Sequence, residues 1–263
     1  MTPPLPDASS GVASASLELP YRVRFDESTP AGTVRTSALL RYAQDCAWAH
    51  SERLGFGRDW YAGQGLWWLV RAVELRLLGA LPTGATASVT TTVVGFRRVL
   101  ARRRTTIAGL DGSPVASIDT DWAMIGDDGV PARIPGAFPA LLGPDAPTFS
   151  PHRVALPDPT GGPGREAAEP RPEPTLAFEV RPQELDPMGH ANNAVHLDWL
   201  DEAVERVAPA LLESIPRTYR LEYLLPATRG RRLVARAWPT GPASAAYRLA
   251  DPPAELLRAT VTA

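Results

Sequence analysis

The sequence contains no lysine; all 27 of its basic residues are arginine, set against 29 acidic residues. The formal net charge of -2 leaves no broad basic field, which argues against a nucleic-acid partner. Arginine used to the exclusion of lysine points to a GC-rich genome, with most of these side chains on solvated faces, and says little about a ligand. The single cysteine, Cys46, excludes an internal disulfide. With only four histidines beside it, no Cys/His zinc set is available. No apolar run approaches the roughly 20 residues needed to span a bilayer, so no membrane partner is expected. Residues 1–16 are rich in Pro, Ala and Ser and lack the basic start and apolar core of a signal peptide, so a disordered tail is expected there. These absences together point to a cytoplasmic protein.

What is present is ordinary globular material. Apolar residues make up 44% and charged residues 21%, and 263 residues are enough for two domains. Residues 17–142 are patterned and apolar. Residues 143–174 turn to Pro, Gly, Ala and charge, including Pro157-Asp158-Pro159-Thr160-Gly161-Gly162-Pro163-Gly164, a composition that builds neither core nor sheet and marks a linker. Pattern returns over 175–263.

The two patterned halves are related. At a shift of 157 residues, Val23-Arg24 falls on Val180-Arg181, Glu27 on Glu184, Pro30 on Pro187 and Gly32 on Gly189. Leu40 falls on Leu197, Tyr42 on Trp199 and Asp45 on Glu202, with no gap. Turn residues matched ahead of matched helices suggest duplication. Each copy runs strand, turn, helix, then several strands. In the first, a strand at 21–25 and a turn at 27–32 precede a helix capped by Thr36 or Ser37, ending near Leu54 with Gly55 as its stop. Leu39, Leu40, Ala43, Cys46 and Ala47 form its apolar stripe. Strands are predicted at 67–77, 86–96, 101–108 and 115–125. In the second, Asn192 or Asn193 caps a helix to about Ala208, followed by strands at 218–225, 232–238, 245–249 and 256–262. One helix against several antiparallel strands, twice over, is an α+β pattern.

The segment Glu184-Leu185-Asp186-Pro187-Met188-Gly189-His190-Ala191-Asn192-Asn193 gathers a carboxylate, an imidazole and two amides in a turn before a helix. A helix start offers unpaired N–H groups that can hold an oxyanion. A carboxylate beside it can activate water, and an imidazole can move a proton. The plainer reading, a turn whose Asp and Asn residues only cap the helix, is stronger for Asn192 and Asn193 than for Asp186. The first copy has Thr29 where the second has Asp186, and Thr33 where it has His190, so chemistry is expected in the second half.

Asp-x-x-Gly-His-x-Asn-Asn ahead of a helix, with Trp199 following, resembles the hotdog thioesterase signature. Gln44-Asp45, His50, Leu54-Gly55, Trp68-Leu69-Val70-Arg71 and Arg103 resemble the N-terminal domain of the fatty acyl-(acyl carrier protein) thioesterases, over roughly 19–142 and 176–240. The resemblance implies two tandem hotdog domains, each a long helix packed in a curved antiparallel sheet. It implies Asp186, His190 and Glu222 as catalytic residues, with no metal or cofactor. Ala191, Asn192 and Asn193 then lie at the substrate carbonyl, with Trp67 and Trp68 candidates for the acyl wall. Met188 stands where that family has Asn, and Tyr223 where it commonly has Cys. Gln44, Asp45 and His50 are expected as polar contacts to the facing domain. The implied reaction is hydrolysis of fatty acyl-(acyl carrier protein) to free acid and carrier thiol. The alternatives are a coenzyme A thioesterase for short or aromatic acyl groups, or a non-catalytic acyl-binding hotdog protein. A hydratase is disfavoured, because Asp186 and His190 stand four apart with Pro187-Met188 between them. Either a monomer or a homodimer fits a fused pair.

Overall fold

The computed structural model describes residues 15–140, 147–157 and 175–263. All but two residues of the expected tail, and the linker apart from 147–157, lie outside the described residues. The chain forms two compact units, Met1–Val73 with Gly79–Pro151 and Glu74–Leu78 with His152–Ala263. None of the described helices is long and apolar enough to cross a membrane.

The first unit contains β1 (Ser16–Arg22), a 3-10 turn (Phe25–Glu27), α1 (Thr36–Arg53), α2 (Arg58–Gln64), β2 (Leu66–Leu77), β3 (Thr86–Arg97), β4 (Leu100–Gly109), β5 (Pro114–Gly126) and α3 (Ala137–Ala140). Its strands lie in the order β1-β3-β4-β5-β2, and the end of β2 groups with the second unit. β3 alternates buried and half-buried residues, so Ala87, Val89, Thr91 and Val93 meet the stripe of Leu39, Leu40, Ala43, Cys46 and Ala47 on α1. The sequence expectation for the N-cap needs correction. Thr36 and Ser37 are the first helical residues; Arg35 is the N-cap, without a side-chain cap bond. The entry is fixed instead by the Arg35 N–H on the Glu27 carbonyl. Gly55 ends the helix as expected, at φ 85.

The second unit contains β6 (Thr175–Glu179), a 3-10 turn (Pro182–Glu184), α4 (Val195–Glu205), α5 (Pro209–Glu213), β7 (Arg217–Tyr223), β8 (Arg232–Gly241), β9 (Ser244–Asp251) and β10 (Ala254–Thr262). The order β7-β10-β9-β8-β6 is antiparallel throughout. α4 stops short of the expected Ala208, because Pro209 cannot continue it and opens α5.

The duplication holds hydrogen bond by hydrogen bond. Arg24 N donates to Glu27 Oε2 at 3.0 Å, as Arg181 N does to Glu184 Oε2 at 2.8 Å. Arg35 N donates to Glu27 O and Asn192 N to Glu184 O; Gly84 N donates to Val23 O and Gly230 N to Val180 O. The turn glycines Gly32 and Gly189 adopt φ 75 and 77, the left-handed region that glycine enters without strain.

Candidate active site

The turn between the 3-10 element and α4 in the second unit is closed at its base. Asp186 N donates to His190 O at 2.8 Å, and Gly189 N donates to Asp186 O at 2.9 Å. The Asp186 side chain is half-buried and folds over this turn, its Oδ1 accepting from Met188 N at 2.9 Å and His190 N at 3.3 Å. Both bonds fall on one oxygen. Oδ2 has no partner among the described residues, so its lone pairs can accept from water. His190 is half-buried too, and its imidazole has no partner among the described residues. Met188, in the middle of the turn, is 38% exposed, so it fills no core position.

The helix start is less open than the sequence suggests. Ala191 N donates to Ala227 O at 2.8 Å and Asn192 N to Glu184 O at 2.8 Å. Ala194 N donates to Asn192 Oδ1 at 2.9 Å, and Val195 N to Asn192 O at 2.9 Å. Among the described residues from 191 to 195, this leaves the N–H of Asn193 alone without a partner. Asn192 therefore closes the turn into α4, whose N-cap is Ala194. Asn193 is held from its other side, where its carbonyl accepts from Tyr223 Oη at 2.9 Å. One turn along, His196 packs edge-on against Trp199 and Tyr223, its Nδ1 buried without a partner among the described residues. Burial pulls its pKa down to about 4, so it is neutral at ordinary pH.

Glu222 is not turned towards this helix. Successive side chains of a strand point to opposite faces. Tyr223 reaches Asn193 and His196, so Glu222 faces the other side of the sheet. There it is 4% exposed, Oε1 accepting from Arg153 Nη1 at 2.7 Å and Oε2 from Val154 N at 3.0 Å. The segment that crosses the Asp186–His190 turn is Ala227–Thr228, whose backbone pairs with Ala191 and His190.

In the first unit the corresponding turn carries hydroxyls. Thr33 N donates to Thr29 Oγ1 at 3.4 Å, and the two hydroxyls meet at 3.1 Å. Trp67 and Trp68 belong to an aromatic cluster built on Phe56, Trp60, Tyr61 and Phe138. Trp67 Nε1 donates to Asp127 Oδ1 at 2.8 Å, and Trp68 Nε1 donates to Tyr61 Oη at 2.9 Å. Asp45 and His50 of α1 make contacts inside their own unit, and Gln44 Nε2 is buried without a partner among the described residues. Asp45 accepts from Tyr21 Oη at 2.7 Å, and His50 Nδ1, in a residue 1% exposed, accepts from Arg103 Nη1 at 2.7 Å. Burial pulls the Arg103 pKa down to about 10. Sequence reasoning did not find the Arg103–His50 pair. Strand alternation through Arg102-Arg103-Arg104 was the signal available for it.

Residues 16–135 match the family of the acyl-ACP thioesterase N-terminal domain. No curated protein matches the chain in sequence. An acyl-ACP thioesterase from Bacteroides thetaiotaomicron superposes with a TM-score of 0.75 at 15% identity, covering 95% of this chain and 98% of its own. The 12:0-ACP thioesterase from Umbellularia californica gives 0.73 at 18% identity, covering 94% and 93%. At such identities the likeness establishes the fold: α+β, with two tandem hotdog domains.

Proposed function

We propose that the chain, whose residues 16–135 match the acyl-ACP thioesterase N-terminal domain, is a thioester hydrolase of that family and hydrolyses fatty acyl-(acyl carrier protein) at the Asp186 turn. The observation that carries the assignment of the site is the asymmetric Asp186 carboxylate. One oxygen is fixed by two amides and the other is unengaged, in the turn that leads to the unpaired Asn193 N–H at the head of α4. In this reading Asp186 Oδ2 takes a proton from water as the water oxygen attacks the thioester carbonyl carbon. The carbonyl oxygen becomes an oxyanion facing the Asn193 N–H. Collapse breaks the carbon–sulfur bond, and the thiolate leaves with a proton delivered by His190. The products are a free acid and a thiol. Of the earlier candidates, Ala191 and Asn192 shape the helix entry, because their amides are spent on the fold.

The test compares one acyl chain on the carrier protein and on coenzyme A, with wild type and Asp186→Asn. Asn keeps the acceptor for the Met188 and His190 amides but is not a base. The expected outcome is a kcat loss of about 10²- to 10⁴-fold at unchanged Tm, with kcat/KM favouring the carrier-protein substrate. Unchanged kcat in Asp186→Asn removes Asp186 from the chemistry, and a preference for the coenzyme A substrate removes the carrier protein.

A further inference from the structure

The first unit contains three consecutive arginines on β4 whose environments differ. Arg102 donates through Nε and Nη2 to the two oxygens of Asp121, at 2.6 and 2.8 Å. Arg104 holds Asp119 in the same two-pronged way, both bonds at 2.7 Å. Asp121 and Asp119 both stand on β5, directly opposite their arginines. Arg103, between them, points to the other face of the strand, towards α1. Its partner there is His50 Nδ1, at 2.7 Å, and among the described residues it has no carboxylate. A guanidinium has five N–H donors in a planar fork suited to a carboxylate. A cation shielded from water without a counter-charge is costly.

The surroundings of Arg103 are suited to an apolar body. Ala101, two residues along on the same face, is a buried member of the aromatic cluster with Phe56, Tyr61 and Phe138, and Trp68 and Phe96 pack against that cluster. The residue after His50, Ser51, meets Tyr61 Oη at 2.9 Å, which ties the His50–Arg103 pair to the same cluster. Across the ladder Arg103 faces Thr120 on β5 and Val93 on β3, neither of which carries charge.

We propose that Arg103 and His50 form a head-group site for an amphipathic carboxylate, whose apolar body lies against the aromatic cluster of the first unit. In a thioester hydrolase such a carboxylate is supplied as the released acid; that source rests on the thioesterase reading, and the binding itself does not.

Calorimetric titration of the full chain with decanoate and with decanol tests the binding. Wild type is expected to bind decanoate at least about tenfold more tightly than decanol, and Arg103→Met to bind both alike. Decanol binding wild type as tightly as decanoate overturns the proposal, as does a folded Arg103→Met that keeps the preference. Should Arg103→Met fail to fold, the wild-type comparison decides alone. Asp186→Asn is expected to keep the preference, so failure of the catalytic reading and failure of this one are told apart.

Discussion

Replacing Glu222 separates two roles that this residue can have. The family resemblance implies a catalytic carboxylate, whereas its position on β7 makes it an anchor for residues 153–154. In Glu222→Ala, Arg153 loses its partner but remains in water, since its side chain is 61% exposed. Val154 lies 5% exposed, and its N–H loses its acceptor where little water reaches. One charge-assisted bond lost and one shielded donor left unpaired cost about 3 kcal/mol together. For a chain of this size that corresponds to a fall in Tm of about 6–12 °C. Glu222→Gln keeps an acceptor for Val154 and is expected to lose about half as much. Thermal denaturation followed by circular dichroism reads the stability, and turnover of an acyl thioester below the lowered Tm reads the chemistry. The expected result is a kcat within about threefold of wild type in both variants, since a general base is worth about 10²-fold or more. Unchanged Tm with a hundredfold loss of kcat would refute the anchor and return Glu222 to catalysis.

The remaining predictions concern pH and close packing. His196, held near a pKa of about 4 by burial, supplies stability that is full above about pH 6.5 and is lost as pH falls through 4. Asp201, pushed up to about 6 chiefly by burial, with the carboxylates of Asp198 and Glu205 adding to the rise and a bond from Tyr219 Oη and the nearby Arg217 opposing it, supplies stability that is full below about pH 3.9 and lost as pH rises through 6. The two slopes oppose each other, so Asp201→Asn is expected to expose the His196 slope alone, with about 2 kcal/mol more lost than in wild type between pH 6.5 and 4; urea denaturation across that range checks it, and a profile identical to wild type contradicts it. Gly95 lies beneath the segment at 147–150, and a Cβ there meets Pro147 O at 2.3 Å. Gly95→Ala is therefore expected to cost about 1–3 kcal/mol in urea denaturation and to loosen the Phe149 ring from its place over Arg102.

The parts of the fold legible in the sequence were those set by local pattern. The stripe from Leu39 to Ala47, the stop at Gly55 and the strands at the core of both units follow from period and turn residues alone. The short helices α2 and α3 were not legible, since seven and four residues carry too little period to separate them from loop. The turn at Asp186 was legible as a candidate site because its residue types converge within ten positions. The state of its amides was not, because the Ala191 N–H is spent on Ala227, 36 residues away. Glu222 shows the same limit. Its neighbours in sequence placed it on a strand, but the side it faces depends on Tyr223 reaching back to Asn193.

The internal duplication bears directly on whether Asp186 is there for the fold. In the first unit the same backbone turn closes with Thr29 N on Thr33 O at 2.7 Å, where Asp186 N meets His190 O at 2.8 Å in the second. The side-chain bond is reproduced as well, Thr29 Oγ1 taking the Thr33 amide as Asp186 Oδ1 takes that of His190. The following glycine, the 3-10 turn and its Arg–Glu pair are common to both. A hydroxyl therefore suffices to close this turn, and a carboxylate adds to it a bond from the Met188 amide, a charge and a spare oxygen. A half-buried charge is a cost to the fold unless something outside the turn uses it. Stability of the turn accounts for Thr29 and for one oxygen of Asp186; the proposed activation of water would account for the charge and the second oxygen.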